Sequence, residues 1–143
     1  MSPVRCRAVA CCALALLAAA GAASASEGLP SVAYRRMVGN PGEYAGRRLA
    51  VPACAATAAH HGAYLYDCRD ADVQLVTLSG SRDAEQALFG ERRVFEQRRA
   101  SAVMVGVLEW RPDAPMACCL DPRYVFHLER VEDVSTLPLT ATD

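Results

Sequence analysis

Two runs of alternating residues, 47–57 and 63–69, flank the short polar stretch His60-His61-Gly62. This pattern predicts a β-hairpin. A turn centred on those three residues sets Cys54 opposite Cys68, Ala56 opposite Tyr66 and Ala58 opposite Tyr64, all on one face. Directly opposed Cβ atoms lie roughly 4.5–5.5 Å apart, so the two cysteines fall within reach of a disulfide. Gly62 supplies the backbone freedom that such a turn uses. In the first run Leu49, Val51 and Ala53 share one face and Pro52 lies on the other. Proline has no ladder donor, so a bulge or a locally unpaired position is expected there.

The rest of the chain punctuates clearly. Ser31–Val38 predicts two helical turns, with Val32, Arg35 and Arg36 on one side and Ala33, Tyr34 and Met37 on the apolar side. Asn40-Pro41-Gly42-Glu43 predicts one further turn, capped by Asn40 and closed by a left-handed Gly46. Asp70–Asp72 forms a turn, and Val73–Leu78 is the third strand. Ser81 is placed to cap a helix over 83–99, with Ala84, Ala87, Leu88 and Phe95 at helical spacing. Gly90 is its weak point, and Arg98 and Arg99 suit its C-terminal end. Ala102–Trp110 is the fourth strand, with Met104, Gly106, Leu108 and Trp110 on one face; Gly106 marks a bend or a close backbone approach. Residues 111–123 hold three prolines and form a loop, Tyr124–Val131 is the fifth strand, and 135–143 is a flexible polar tail. Three strands, a helix and two strands give a mainly β chain, and this is the order of a five-stranded OB-fold-like barrel with one helix between strands 3 and 4.

The run Asn40-Pro41…Tyr44…Gly46-Arg47-Arg48-Leu49…Val51 resembles the NP-x-x-Y-x-G-[KR]-x-V-x-V opening of small exported bacterial OB-fold proteins. The segments 101–110 and 124–134 look like their closing strands. The resemblance implies the fold and carries over no functional residue. The chain departs from that pattern at Ala53, where those proteins often have glycine, and in its cysteines.

The beginning of the chain reads differently. Arg5 and Arg7, the apolar run Ala8–Ala20 and the small residues Ala23-Ser24-Ala25 predict a secretory signal over 1–25, leaving a single domain over 26–134 and the tail. Cys11 and Cys12 lie early in the apolar run, where a lipid-attachment cysteine would end it, so a soluble periplasmic or secreted protein is expected, with a lipid anchor as the minor alternative. The apolar run is also too short for a transmembrane span. The formal net charge of −1 becomes about −3 without Arg5 and Arg7. A mildly acidic chain argues against nucleic acid as partner.

Four cysteines remain beyond the signal: Cys54, Cys68, Cys118 and Cys119. An even count in an exported domain points to disulfides. The hairpin bridge Cys54–Cys68 is favoured; bridges from Cys118 and Cys119 to the hairpin are the alternative. No nucleophile–base arrangement, phosphate loop or Cys-x-x-Cys appears, so no enzyme is expected. The leading reading is an exported, non-enzymatic binding or interaction module for an envelope protein or small molecule. Its ligand-binding residues would be His60, His61, Tyr64 and Tyr66. The alternative is a metal-binding or redox-active protein using His60, His61, Cys118 and Cys119, on the expectation that the strand 1–2 and strand 4–5 loops share one end of the barrel. No cofactor is required. Three further features have ordinary explanations: Asp67, Asp70 and Asp72 as a solvated turn, the arginine pairs as soluble surface, and Tyr64, Tyr66 and Trp110 as packing instead of a stacking platform.

Overall fold

The computed structural model describes residues 28–60, 62–117 and 121–139. The predicted signal, His61, Cys118 and Cys119 therefore lie outside the described residues. Two short helices, α1 (Tyr34–Gly39) and α2 (Pro41–Tyr44), precede β1 (Arg48–Ala58), β2 (Gly62–Tyr66) and β3 (Val76–Gly80). Helix α3 (Arg82–Phe89) follows, then β4 (Arg99–Trp110) and β5 (Tyr124–Leu137). The strands close in the order β1-β2-β3-β5-β4, and β3 and β5 run parallel. This is the expected OB-fold-like barrel, with α3 between its third and fourth strands. No described helix is long and apolar enough to cross a membrane.

Period-two alternation places the core. Leu49, Val51, Ala53 and Ala55 of β1 meet Leu65, Val76, Met104, Leu108 and Phe126 inside the barrel. Met37 of α1 and Leu88 of α3 join the same core. The opposite face of β1 also holds a small cluster: Cys54 and Ala56 are buried beneath Tyr66, with Tyr64, Leu75 and Leu137 packed around them. β1 thus buries side chains on both faces near its end.

The hairpin register is shifted by two residues from expectation. Cys54 faces Tyr66, and Ala56 faces Tyr64. Gly62 explains the shift. At φ 78° it takes up the left-handed position that closes a three-residue loop, so it begins β2 instead of centring the turn. An even shift keeps every side chain on its predicted face. β2 therefore ends at Tyr66, earlier than expected, and Cys68 lies in the turn bracketed by the Asp67–Asp70 bridge. The Cys54–Cys68 disulfide still forms, with Cα atoms 5.0 Å apart.

Other boundaries moved for local reasons. Val32 is buried, not on the solvent side, because its N–H donates to the Ala50 carbonyl before α1 begins. Asn40 makes no side-chain cap, although Pro41 opens α2 and Gly46 is left-handed as expected. The Ser81 hydroxyl accepts the Ala84 N–H, as expected, but α3 stops at Gly90 (φ 71°). Phe95 is thus outside the helix, and Arg99 opens β4. β5 continues to Leu137, so 135–137, expected in a flexible tail, pair with 99–101 of β4. Pro52 pairs with Val103 of β4 and lies before the β1–β2 ladder, which starts at Cys54. Its missing donor falls on the unpaired side.

Candidate functional site

β1 ends at the hairpin turn, and the segment 90–98 returns beside it before β4 begins. Thr57, a buried polar residue, joins the two. Its hydroxyl accepts the Arg98 N–H at 2.8 Å and donates to the Glu96 carbonyl at 3.2 Å, while its own N–H donates to the Arg98 carbonyl at 3.0 Å. Glu96 in turn accepts the Arg93 N–H at 2.8 Å and pairs with the Arg98 guanidinium at 2.7 Å. These contacts, the Arg93 N–H first, hold its carboxyl below the usual range. The result is a tight loop over 93–98 with Val94 and Phe95 at its tip.

Both tip residues face solvent: Val94 is 80% exposed and Phe95 58%. Phe95 also has φ 65°, a left-handed backbone that bulky side chains rarely adopt. Its ring rests against His60 of the hairpin turn, with centroids 4.7 Å apart. Arg92 and Arg93 beside them form no side-chain ion pair among the described residues. The turn separates two grooves. The helix-side groove, about 680 Å³, runs from Ala58 and Ala59 to Arg82, Arg92 and Arg93. The strand-side groove, about 440 Å³, lies over the outer cluster and is lined by Tyr64, Tyr66, Leu75, Arg98 and Arg99.

Of the expected ligand-binding residues, His60, Tyr64 and Tyr66 occupy this end. The Tyr64 and Tyr66 rings are 6.0 Å apart, and Tyr66 is buried. Trp110 does not join them: it stands at the far end of β4, against Gly42 of α2. The strand 4–5 loop also leaves from that far end. β1 runs towards the hairpin turn and β4 away from it, with Arg48 beside Val107 and Ala56 beside Arg99. The described flanks of the loop confirm the placement, because Asp121 accepts from Gln74 of the strand 2–3 loop at 3.2 Å. The expected shared end for the two loops therefore does not hold for the described residues. No cluster of three metal-ligating side chains occurs among them.

The acidic turn after β2 is a buttress for the disulfide. Arg35 of α1 bonds Asp67 and reaches Asp70 at 3.2 Å, and Asp67 also accepts the Arg69 N–H at 2.8 Å. The Arg69 N–H first, and then the Arg35 guanidinium, hold the Asp67 carboxyl below its ordinary value. A depressed carboxyl stabilises the fold above its unfolded pKa, and the effect is lost as pH falls through the folded value. Asp67→Asn is therefore expected to lower the melting temperature at pH 7. The gap from wild type should shrink steadily below about pH 4. Paired melts across that range check it, and a gap independent of pH would refute the assignment.

Sequence reading missed Phe95 as a surface residue because its spacing fits the helix before it. Gly90 was the available signal: past a helix stop, the apolar pair Val94-Phe95 between charged residues has no helical face to serve. No family model, curated protein or solved structure matches this chain.

Proposed function

We propose that the chain is an exported, non-enzymatic binding module, built like the small OB-fold proteins that its opening motif resembles, and that it binds an envelope protein through the hairpin end of the barrel. The observation that carries this reading is Phe95. A bulky residue in the left-handed region costs roughly 1–2 kcal/mol. The energy is not recovered by burial, because most of the side chain faces water. Strain of this kind concentrates at ligand clamps. Val94 adds exposed apolar surface, His60 supports the ring, and Arg92 and Arg93 place positive charge at the rim. Exposed apolar residues rimmed by polar ones are the usual anatomy of an interaction site.

The reading predicts that Val94→Ser with Phe95→Gly abolishes capture of a discrete partner from envelope extract, by at least about tenfold. The melting temperature should stay within a few degrees of wild type. Equal capture by a folded double variant would contradict it.

A further inference from the structure

From the strand-side groove we infer that this end of the barrel binds a carboxylate carried on an apolar or aromatic group; this rests on the hairpin end being the binding surface and adds the ligand's chemistry. Among the described residues the groove lining includes two arginines and no acidic residue. Arg98 is matched by Glu96, but its Nε is buried without a hydrogen-bond partner among the described residues. Arg99 has no carboxylate partner among the described residues. Its Nε and Nη2 both donate to the Tyr66 phenol oxygen, at 3.0 and 2.8 Å, and its Nη1 reaches the Pro138 carbonyl at 3.3 Å.

The Tyr66 contact has a chemical consequence. An oxygen that accepts two arginine donors directs its own proton elsewhere, and Tyr66 makes no hydrogen bond as a donor among the described residues. A phenol donor and a guanidinium without an anion thus converge beside Tyr64 and Leu75, which supply an apolar wall. The Arg99 guanidinium N–H donors not used by Tyr66 and Pro138 suit a carboxylate, and the adjoining aromatic surface suits an apolar substituent. Thr57 fixes the segment that delivers both arginines, so the site is preorganised by the same clamp that shapes the tip loop.

Two sources share this chemistry: a free small acid and the terminal carboxylate of a peptide ending in an apolar residue. The test is a backbone amide NMR titration of the disulfide-bonded protein. The probes are 3-phenylpropionate, its neutral amide, and a short peptide ending in phenylalanine as the acid and as the amide. The inference predicts shifts at Tyr64, Tyr66, Leu75 and Arg99, with each acid binding at least about tenfold more tightly than its amide. Arg99→Gln should erase that preference, and Tyr66→Phe should reduce it several-fold while leaving amide binding unchanged. Tighter binding of the peptide acid than of 3-phenylpropionate assigns the site to chain termini, and equal binding assigns it to small acids. Equal affinity for acid and amide, a preference that survives in folded Arg99→Gln, or no binding of any probe would overturn the inference. If partner capture still depends on Val94 and Phe95 in that case, the hairpin reading stands; if capture is also independent of them, both fall.

Discussion

Gly106→Ala is expected to prevent cooperative folding or to cost about 3 kcal/mol or more. Gly106 points into the barrel where β5 crosses β4. An added Cβ would stand 2.1 Å from the His127 carbonyl oxygen and 2.8 Å from the Phe126 ring. The carbonyl belongs to the ladder and cannot rotate away. The ring is fully buried. The register between β4 and β5 also shifts here, from Val105–Arg130 to Gly106–Leu128, so the close approach coincides with a bulge in β5. That irregularity comes just after the β5 residues, Val125 to Leu128, that pair in parallel with β3 and close the barrel. Circular dichroism and a urea melt of Gly106→Ala check this, and a shift of less than about 1 kcal/mol would mean that the strands do not cross as described.

Removing the disulfide is the second large effect. The cysteines are separated by 14 residues, and closing such a loop stabilises by about 3 kcal/mol on the chain-entropy model. The bridge also secures the turn that follows β2, where Asp67 and Asp70 meet Arg35. Cys54→Ala with Cys68→Ala should therefore lower the melting temperature by roughly 10–15 °C. It should also loosen the strand-side groove, whose floor includes Tyr66 packed over Cys54. A loss under about 3 °C would show that the turn holds without the crosslink.

Much of this fold was legible because its signals are local. Alternation in 49–53 and 103–110 grouped the residues that share each face, and Gly106 signalled a bend or a close backbone approach. The disulfide was legible even though its register was not, since an even shift preserves faces. What stayed hidden depends on competition between local signals. The spacing of Ala84, Leu88 and Phe95 fits one helix, but Gly90 adopts a positive φ and ends it, which turns Phe95 from an expected core residue into a surface one. The reach of β5 to Leu137 was hidden for another reason: Ser135 and Thr136 carry no apolar signal and are held by backbone pairing to β4. The meeting of Arg99 with Tyr66 joins residues far apart in sequence and has no local signature. Thr57 is similar, since a threonine inside a strand gives no sign that it clamps a distant loop.

On the proposed function, Phe95 is kept at the hairpin end for binding and not for folding. Equilibrium urea unfolding of Phe95→Gly tests this most directly. Glycine relieves the left-handed strain but adds freedom to the unfolded chain, so stability should be unchanged or raised by up to about 1 kcal/mol. A loss of about 3 kcal/mol, as for a phenylalanine removed from a core, would make Phe95 a packing residue and contradict the account.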